Sequence, residues 1–289
     1  MSVSTETRSY DDIAQSKSES STDLPRLGSR PWLSLFSGTR AISAATIVAL
    51  ILVWWLAASL KLVSPVFLPS PAQVLAKFFS VAQNGFVDAT LAQHLIASLA
   101  RVFAALVVSI VIAVPVGLAI GLSPVGRGIL DPILEFLRPI PPLAYLPLVV
   151  IWFGIGETSK VLVIFLAMLA PIALSTASGV RSVSQERLNA ARAFDASRRQ
   201  LVRFVVLPHT LPSIFTGVRI ALGAGWTTLV AAELVAATRG LGFMIQSAAQ
   251  FLVTDVVIMG IIVIALIAFA FELSLRKLES VLVPWAGRD

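Results

Sequence analysis

The stretch Gln185-Glu-Arg-Leu-Asn-Ala-Ala-Arg-Ala-Phe-Asp-Ala-Ser-Arg-Arg-Gln-Leu-Val-Arg-Phe-Val-Val-Leu-Pro208 is a charged island between two long apolar runs, and the second run opens Leu211-Pro-Ser-Ile-Phe-Thr-Gly217. Ser184 or Gln185 begins a short helix that reaches Phe194, Asp195 turns the chain, and Ser197 caps a second helix through Val206. A serine side chain accepts from the free N–H groups at a helix start, which is why these positions mark beginnings. Leu188, Ala191 and Phe194 recur at helical spacing and predict one apolar face.

The rest of the chain says what the island lies between. Hydrophobic residues make up 57% of the sequence, charged residues 13%, and the mean hydropathy is +0.88, against about 25% charged residues in soluble domains. Such a chain folds inside a membrane, as an all-α bundle of helices about 20 residues long that cross a hydrocarbon core of about 30 Å. Long apolar runs, the first without any charge, predict about six spans, at Ile42–Leu60, Ser98–Leu122, Ile133–Phe153, Ser159–Gly179, Pro212–Ala237 and Asp255–Leu273. Residues 1–40, rich in Ser, Thr, Asp and Glu, are expected to form a disordered tail, residues 41–289 the transmembrane domain, and 181–211 its charged loop. Ser70 and Pro71 predict a short amphipathic helix on the outer surface. Prolines at 139, 141, 142 and 147 predict a kinked or broken third span, which is tolerated at membrane depth where it faces protein or a water-filled path.

Arginine and lysine collect in cytoplasmic loops. The island and its approach carry Arg181, Arg187, Arg192, Arg198, Arg199 and Arg203, whereas the loops of opposite parity carry Lys61, Lys77, Lys160 and Arg239. Both termini and the island are therefore expected in the cytoplasm. The formal charge of +6 reflects these loops and gives no reason to expect nucleic-acid binding. On charge alone, an ordinary cytoplasmic loop and a docking segment are equal readings.

Several chemistries are excluded. Without cysteine there is no disulfide, thiolate metal site or cysteine nucleophile. His94 and His209 are too few and too far apart for a metal site. The run Gly154-Ile-Gly-Glu-Thr-Ser-Lys160 fails as a phosphate loop, because Ser159 precedes the lysine and Val161 follows it. No catalytic constellation stands out, so the chain is expected not to be an enzyme. Glu233 lies about 21 residues, or roughly 31 Å, into the fifth span and is expected at the outer interface rather than the bilayer centre, where a carboxylate is costly; a structural pair with Arg239 and a role in gating or substrate passage are both open.

The Ala190-Ala191 pair, the turn at Asp195, Leu207-Pro208 and Gly217 resemble the EAA loop of ABC-importer permeases. Asn189 stands at the loop's glutamate and Asp195 at its glycine; aspartate is among the few residues that tolerate the positive φ of such a turn. The resemblance continues through Leu68-Pro-Ser-Pro71, Ser98-Leu-Ala-Arg101, Arg138-Pro-Ile-Pro-Pro-Leu-Ala144, Trp152-Phe-Gly-Ile-Gly-Glu157 and Gly179-Val-Arg-Ser-Val183, which are similar to the taurine, sulfonate and nitrate branch. The run from Gly225 to Met244 and the closing Pro284-Trp285 look most like its taurine members.

This resemblance implies a type I importer permease fold in a bacterial inner membrane, working as a homodimer with two ATPase subunits and a periplasmic binding protein. It implies no cofactor in this chain, ATP and Mg being held by the ATPase. It makes Asn189, Ala190, Ala191, Asp195, Leu207, Pro208 and Gly217 the candidates for ATPase coupling, and Pro139, Pro141, Pro142, Trp226 and Glu233 the candidates for the path. Alkanesulfonate or nitrate as cargo, and an ion-coupled carrier working alone, remain alternatives.

Overall fold

The computed structural model describes residues 39–285, and the expected tail lies outside them except for Thr39 and Arg40. Apart from an isolated bridge between Phe86 and Ala89, regular structure among the described residues is helical. The chain divides into two units, Met1–Val53 and Trp54–Asp289. The described part of the first is the beginning of helix α1 (Thr39–Ser59), an uncharged apolar run after Arg40.

In the second unit, α2 (Pro71–Asn84) starts where expected. Ser70 and Gln73 form a reciprocal capping box, and Pro71 occupies the first turn, where its missing N–H is not needed. A second capping box, Thr90 with Gln93, starts α3 (Leu91–Leu122) seven residues before the expected Ser98. Next come α4 (Pro124–Leu137) and α5 (Pro142–Phe153), bent by 101°. The expected third span is thus a pair of short helices; α5, with 12 residues, is about 18 Å long and cannot cross alone. The cause is local: prolines at 139, 141 and 142 withhold N–H groups, and Pro141, ahead of Pro142, is extended at ψ 134° rather than helical.

Helix α6 (Glu157–Arg181) follows, then α7 (Gln185–Ala193) and the single turn α8 (Arg198–Leu201). The helix expected to stop at Val206 instead passes through a wide π turn, Val202–Val206, into α9 (Leu207–Ala236). In a regular helix the Pro208 ring would press on the carbonyl of Phe204; the wide turn just before it removes that clash. The loop between the last two spans holds a further helix, α10 (Leu241–Gln250), before α11 (Thr254–Leu282). Among the described residues, five helices are long and apolar enough to span a membrane, or six counting α4 and α5 as one broken span.

Helix α6 lies between α3 and α9, and Ala105, Ala113, Ile164, Met168, Ala173, Ala177, Ala221 and Leu229 form the buried core among them. Small residues let these backbones approach closely, as membrane helices require when water supplies no driving force. A Cβ on Gly117 would lie 2.5 Å from that of Thr176, and one on Gly217 2.7 Å from that of Ser175. A second cluster, with Val74, Val81, Leu241, Met244, Val256 and Met259, joins α2, α10 and α11.

Replacing Gly117 with Val should lower the thermal stability of the detergent-solubilised chain by about 1–3 kcal/mol through overpacking. Gly128, which has open space around it, is the control: Gly128→Ala should leave the melting curve unchanged or raise it slightly.

Candidate functional site

The island is built from caps and one strained turn. Ser184 Oγ accepts from the Arg187 amide, and Ser197 and Gln200 form a capping box for α8. Between them Asp195 has φ 55°, while its amide donates to the Arg192 carbonyl at 2.9 Å and the next amide donates to the Ala191 carbonyl at 3.2 Å. The left-handed turn expected of Asp195 is present. Asn189, Ala190 and Asp195 are exposed and Ala191 is half-buried.

The single apolar face expected of Leu188, Ala191 and Phe194 is divided. Leu188 turns inward onto Val180, Val183 and Val206, whereas Phe194 is 88% exposed and Phe204, on the π turn, 67%. Leu207 packs on the main core, and Gly217 is buried at the α6–α9 crossing. Neither belongs to the island's outer surface. His209 is half-buried and joins three helices. Its Nδ1 accepts from Arg187 Nη1 at 3.0 Å, so Nε2 carries the proton and donates to Ser182 Oγ at 3.2 Å, which donates to the Gly179 carbonyl at 2.8 Å.

At the opposite end of the bundle lies a cluster that the sequence reading missed. Glu233 on α9 is 1% exposed; it accepts from Arg101 Nη1 at 2.6 Å, Ser98 Oγ at 2.7 Å and the Gly242 amide at 2.7 Å. The partner expected for it, Arg239, contributes a backbone carbonyl to Arg101 Nη1 at 2.8 Å instead. Two apolar helices each carry one buried charge, of opposite sign, and pairing them costs less than leaving either alone. That was the available signal: Arg101 is a lone charge in its predicted span, and Glu233 is the only carboxylate in the fifth.

Arg101 also reaches Glu157, at the start of α6, through Nε at 2.6 Å and Nη2 at 2.8 Å, and Lys160 joins the same carboxylate at 2.8 Å. The first amides of α10 are capped across helices: Gly240 donates to His94 Nδ1 at 3.1 Å and Leu241 to Ser98 Oγ at 2.9 Å. His94 Nε2 therefore bears the proton and donates to the Phe86 carbonyl at 2.9 Å. Gly240, at φ +142°, has no room for a Cβ, which would fall on the Glu233 carboxylate. The cluster holds α3, α6, α9 and α10 together; every strong acceptor in it is engaged, so it is a clamp rather than a reaction centre.

Between the ends, the broken span leaves a cavity of about 160 Å³, lined by Arg138, Ile140, Pro142 and Tyr145, by residues of α6 including Ala167 and Pro171, and by Ala224 of α9. Pro139 and Pro141 are exposed beside it. Trp226, expected on the path, is instead in the main core, 7% exposed, with its ring 5.9 Å from that of Phe271. Glu233 likewise belongs to the clamp.

Residues 109–282 match the family described as binding-protein-dependent transport system inner membrane component. The chain is 59% identical to the taurine transport system permease protein of Escherichia coli (strain K12) over 89% of its length and 94% of that protein's. A provisionally named aliphatic sulfonates transport permease protein of the same strain is 37% identical, over 82% of this chain and 89% of that one. Among solved structures, an amino acid ABC transporter superposes with a TM-score of 0.53 at 19% identity, covering 73% of this chain and 96% of that one. It shows the fold to be that of type I importer permeases.

Glu233→Ala should strand Arg101 and uncap α10, at a cost of about 3–5 kcal/mol, read as a fall in melting temperature or loss of folded material. Arg239→Ala removes only an exposed side chain and should stay within about 0.5 kcal/mol of wild type.

Proposed function

Because the chain belongs to the family of binding-protein-dependent transport inner-membrane components, we propose that it is the permease of an ATP-driven importer whose cargo is taurine. The observation that carries the cargo is the 59% identity to a taurine permease along 89% of the chain. The family makes a separate ATPase and a substrate-binding protein its partners. In this reading two copies of the chain form the pore, two ATPase subunits hold ATP and Mg, and the binding protein delivers taurine from the periplasm. The chain lies in the inner membrane with both termini and the island in the cytoplasm.

Coupling rests on the island. Asn189, Ala190, Ala191 and Asp195 form its compact tip, and the exposed Phe194 and Phe204 rings supply apolar surface for a groove on the ATPase. Leu207, Pro208 and Gly217 do not touch the partner; they seat the lever. The helical run from Arg198 through the π turn into α9, and the Arg187–His209–Ser182 chain, connect the tip to α6 and α9 without a flexible joint. Closure of the ATPase dimer would draw the two islands together and turn α9 of each copy, exchanging inward for outward access. Pro139, Pro141 and Pro142 border the path; Trp226 and Glu233 support its walls.

The test is ATPase activity of the reconstituted complex with and without taurine, where stimulation by taurine and not by longer alkanesulfonates is expected. In the same assay Ala191→Glu should abolish uptake while leaving membrane insertion intact. Asp195→Gly should keep or improve coupling, since glycine adopts the φ of 55° without strain.

A further inference from the structure

Arg101 and Arg219, the other arginines well inside spans, are each engaged by carboxylates: Arg101 by Glu233 and Glu157, Arg219 by Glu272 at 2.6 Å. Arg138 differs. It sits at the break between α4 and α5, its side chain is exposed, and among the described residues that side chain forms no hydrogen bond or ion pair, Glu135 one turn earlier included. The cavity it lines is walled by Leu166, Ala167, Ala170 and Pro171 from the middle of α6 and by Ala224 from the middle of α9. By position along these helices the guanidinium is near mid-depth of the membrane. A lone arginine facing lipid there is costly, so a position facing water is favoured, and such residues mark substrate pathways. Broken backbone at membrane depth belongs where it lines a cavity.

The geometry points to Arg138 and Tyr145 as an anion-binding subsite on the translocation path, which takes the sulfonate group of the cargo as it passes. This rests on the importer reading above. A guanidinium presents paired N–H donors whose spacing suits two oxygens of a tetrahedral oxyanion, and the Tyr145 hydroxyl supplies a further donor on the same cavity wall. The remaining walls are apolar and suit a short carbon chain. A volume of about 160 Å³ exceeds the roughly 30 Å³ share of one water molecule several-fold. A single guanidinium with no competing carboxylate holds an anion strongly enough to admit it and weakly enough to release it, as a passage site requires.

The test uses the full complex of this chain with its ATPase and binding protein in proteoliposomes. Arg138→Gln should lower taurine uptake about tenfold or more, and Arg138→Lys should stay within about threefold of wild type; wild-type uptake by Arg138→Gln overturns the subsite. A second readout is binding of labelled taurine to the detergent-purified transporter without binding protein. Ethanesulfonate, which keeps the anion and lacks the ammonium, should displace it and ethylamine should not; the reverse order overturns the assignment.

Should Arg138→Gln fail to assemble, Tyr145→Phe removes one hydroxyl only. It should weaken displacement by ethanesulfonate about threefold, and unchanged displacement overturns the two-group subsite. If the wild type carries nitrate or a longer sulfonate but not taurine, the taurine reading fails, while a tenfold dependence on Arg138 with that anion upholds the subsite. Uptake of a neutral or cationic cargo alone overturns it.

Discussion

The ion pair between Arg101 and Glu233 sets the register of the bundle. Arg101 is the single charge on α3 and Glu233 the fully buried one on α9, and neither helix can slide or rotate without stranding its charge in a medium that cannot solvate it. The pair is extended on both sides. Glu157 ties in α6 through two further guanidinium hydrogen bonds, and three successive amides, of Gly240, Leu241 and Gly242, anchor the start of α10 to side chains of α3 and α9. Four helices thus meet at one point, and the glycine-lined crossings of α3 and α9 with α6 lie along the bundle from it.

Much of this organisation was legible in the sequence, and for physical reasons. Span positions follow from long apolar runs, and the start of α2 from Ser70 before Pro71. The left-handed turn at Asp195 follows from the few residue types that accept positive φ. What was not legible depended on tertiary partners. Glu233 was matched with Arg239 because the two are close in sequence, whereas its partner lies on another helix, far away in the chain. Trp226 was a path candidate through the resemblance, but it packs beside Phe271 of α11 in the core. The helix expected to end at Val206 continues, because the wide turn before Pro208 accommodates the proline ring. The departure of α7 from a single apolar stripe was hidden too, since the neighbours that claim Leu188 come from α6 and the π turn.

The two ends of the molecule are built for different tasks. The clamp end satisfies its polar groups internally, which makes it rigid and leaves little there for a ligand to engage. The island end leaves two aromatic rings in solvent and fastens its short helix inward through Leu188 and the Arg187–His209 link. The broken span lies between, where prolines prevent a continuous helix and open the cavity beside Arg138. Movement imposed on the island therefore reaches the middle of the bundle through α6 and α9 before it meets the clamp.

The π turn at Val202–Val206 has a consequence for chain length. A wide turn holds one residue more than the regular helix it replaces, and each residue of an α-helix turns the next by about 100°. Loss of one residue here would restore regular winding and keep the island at the same azimuth on α9, whereas loss of one residue within α9 itself would swing the island about a quarter-turn around the helix axis. The segment is a slack link in the sequence count, and it lies where a change of length leaves the aim of the lever intact.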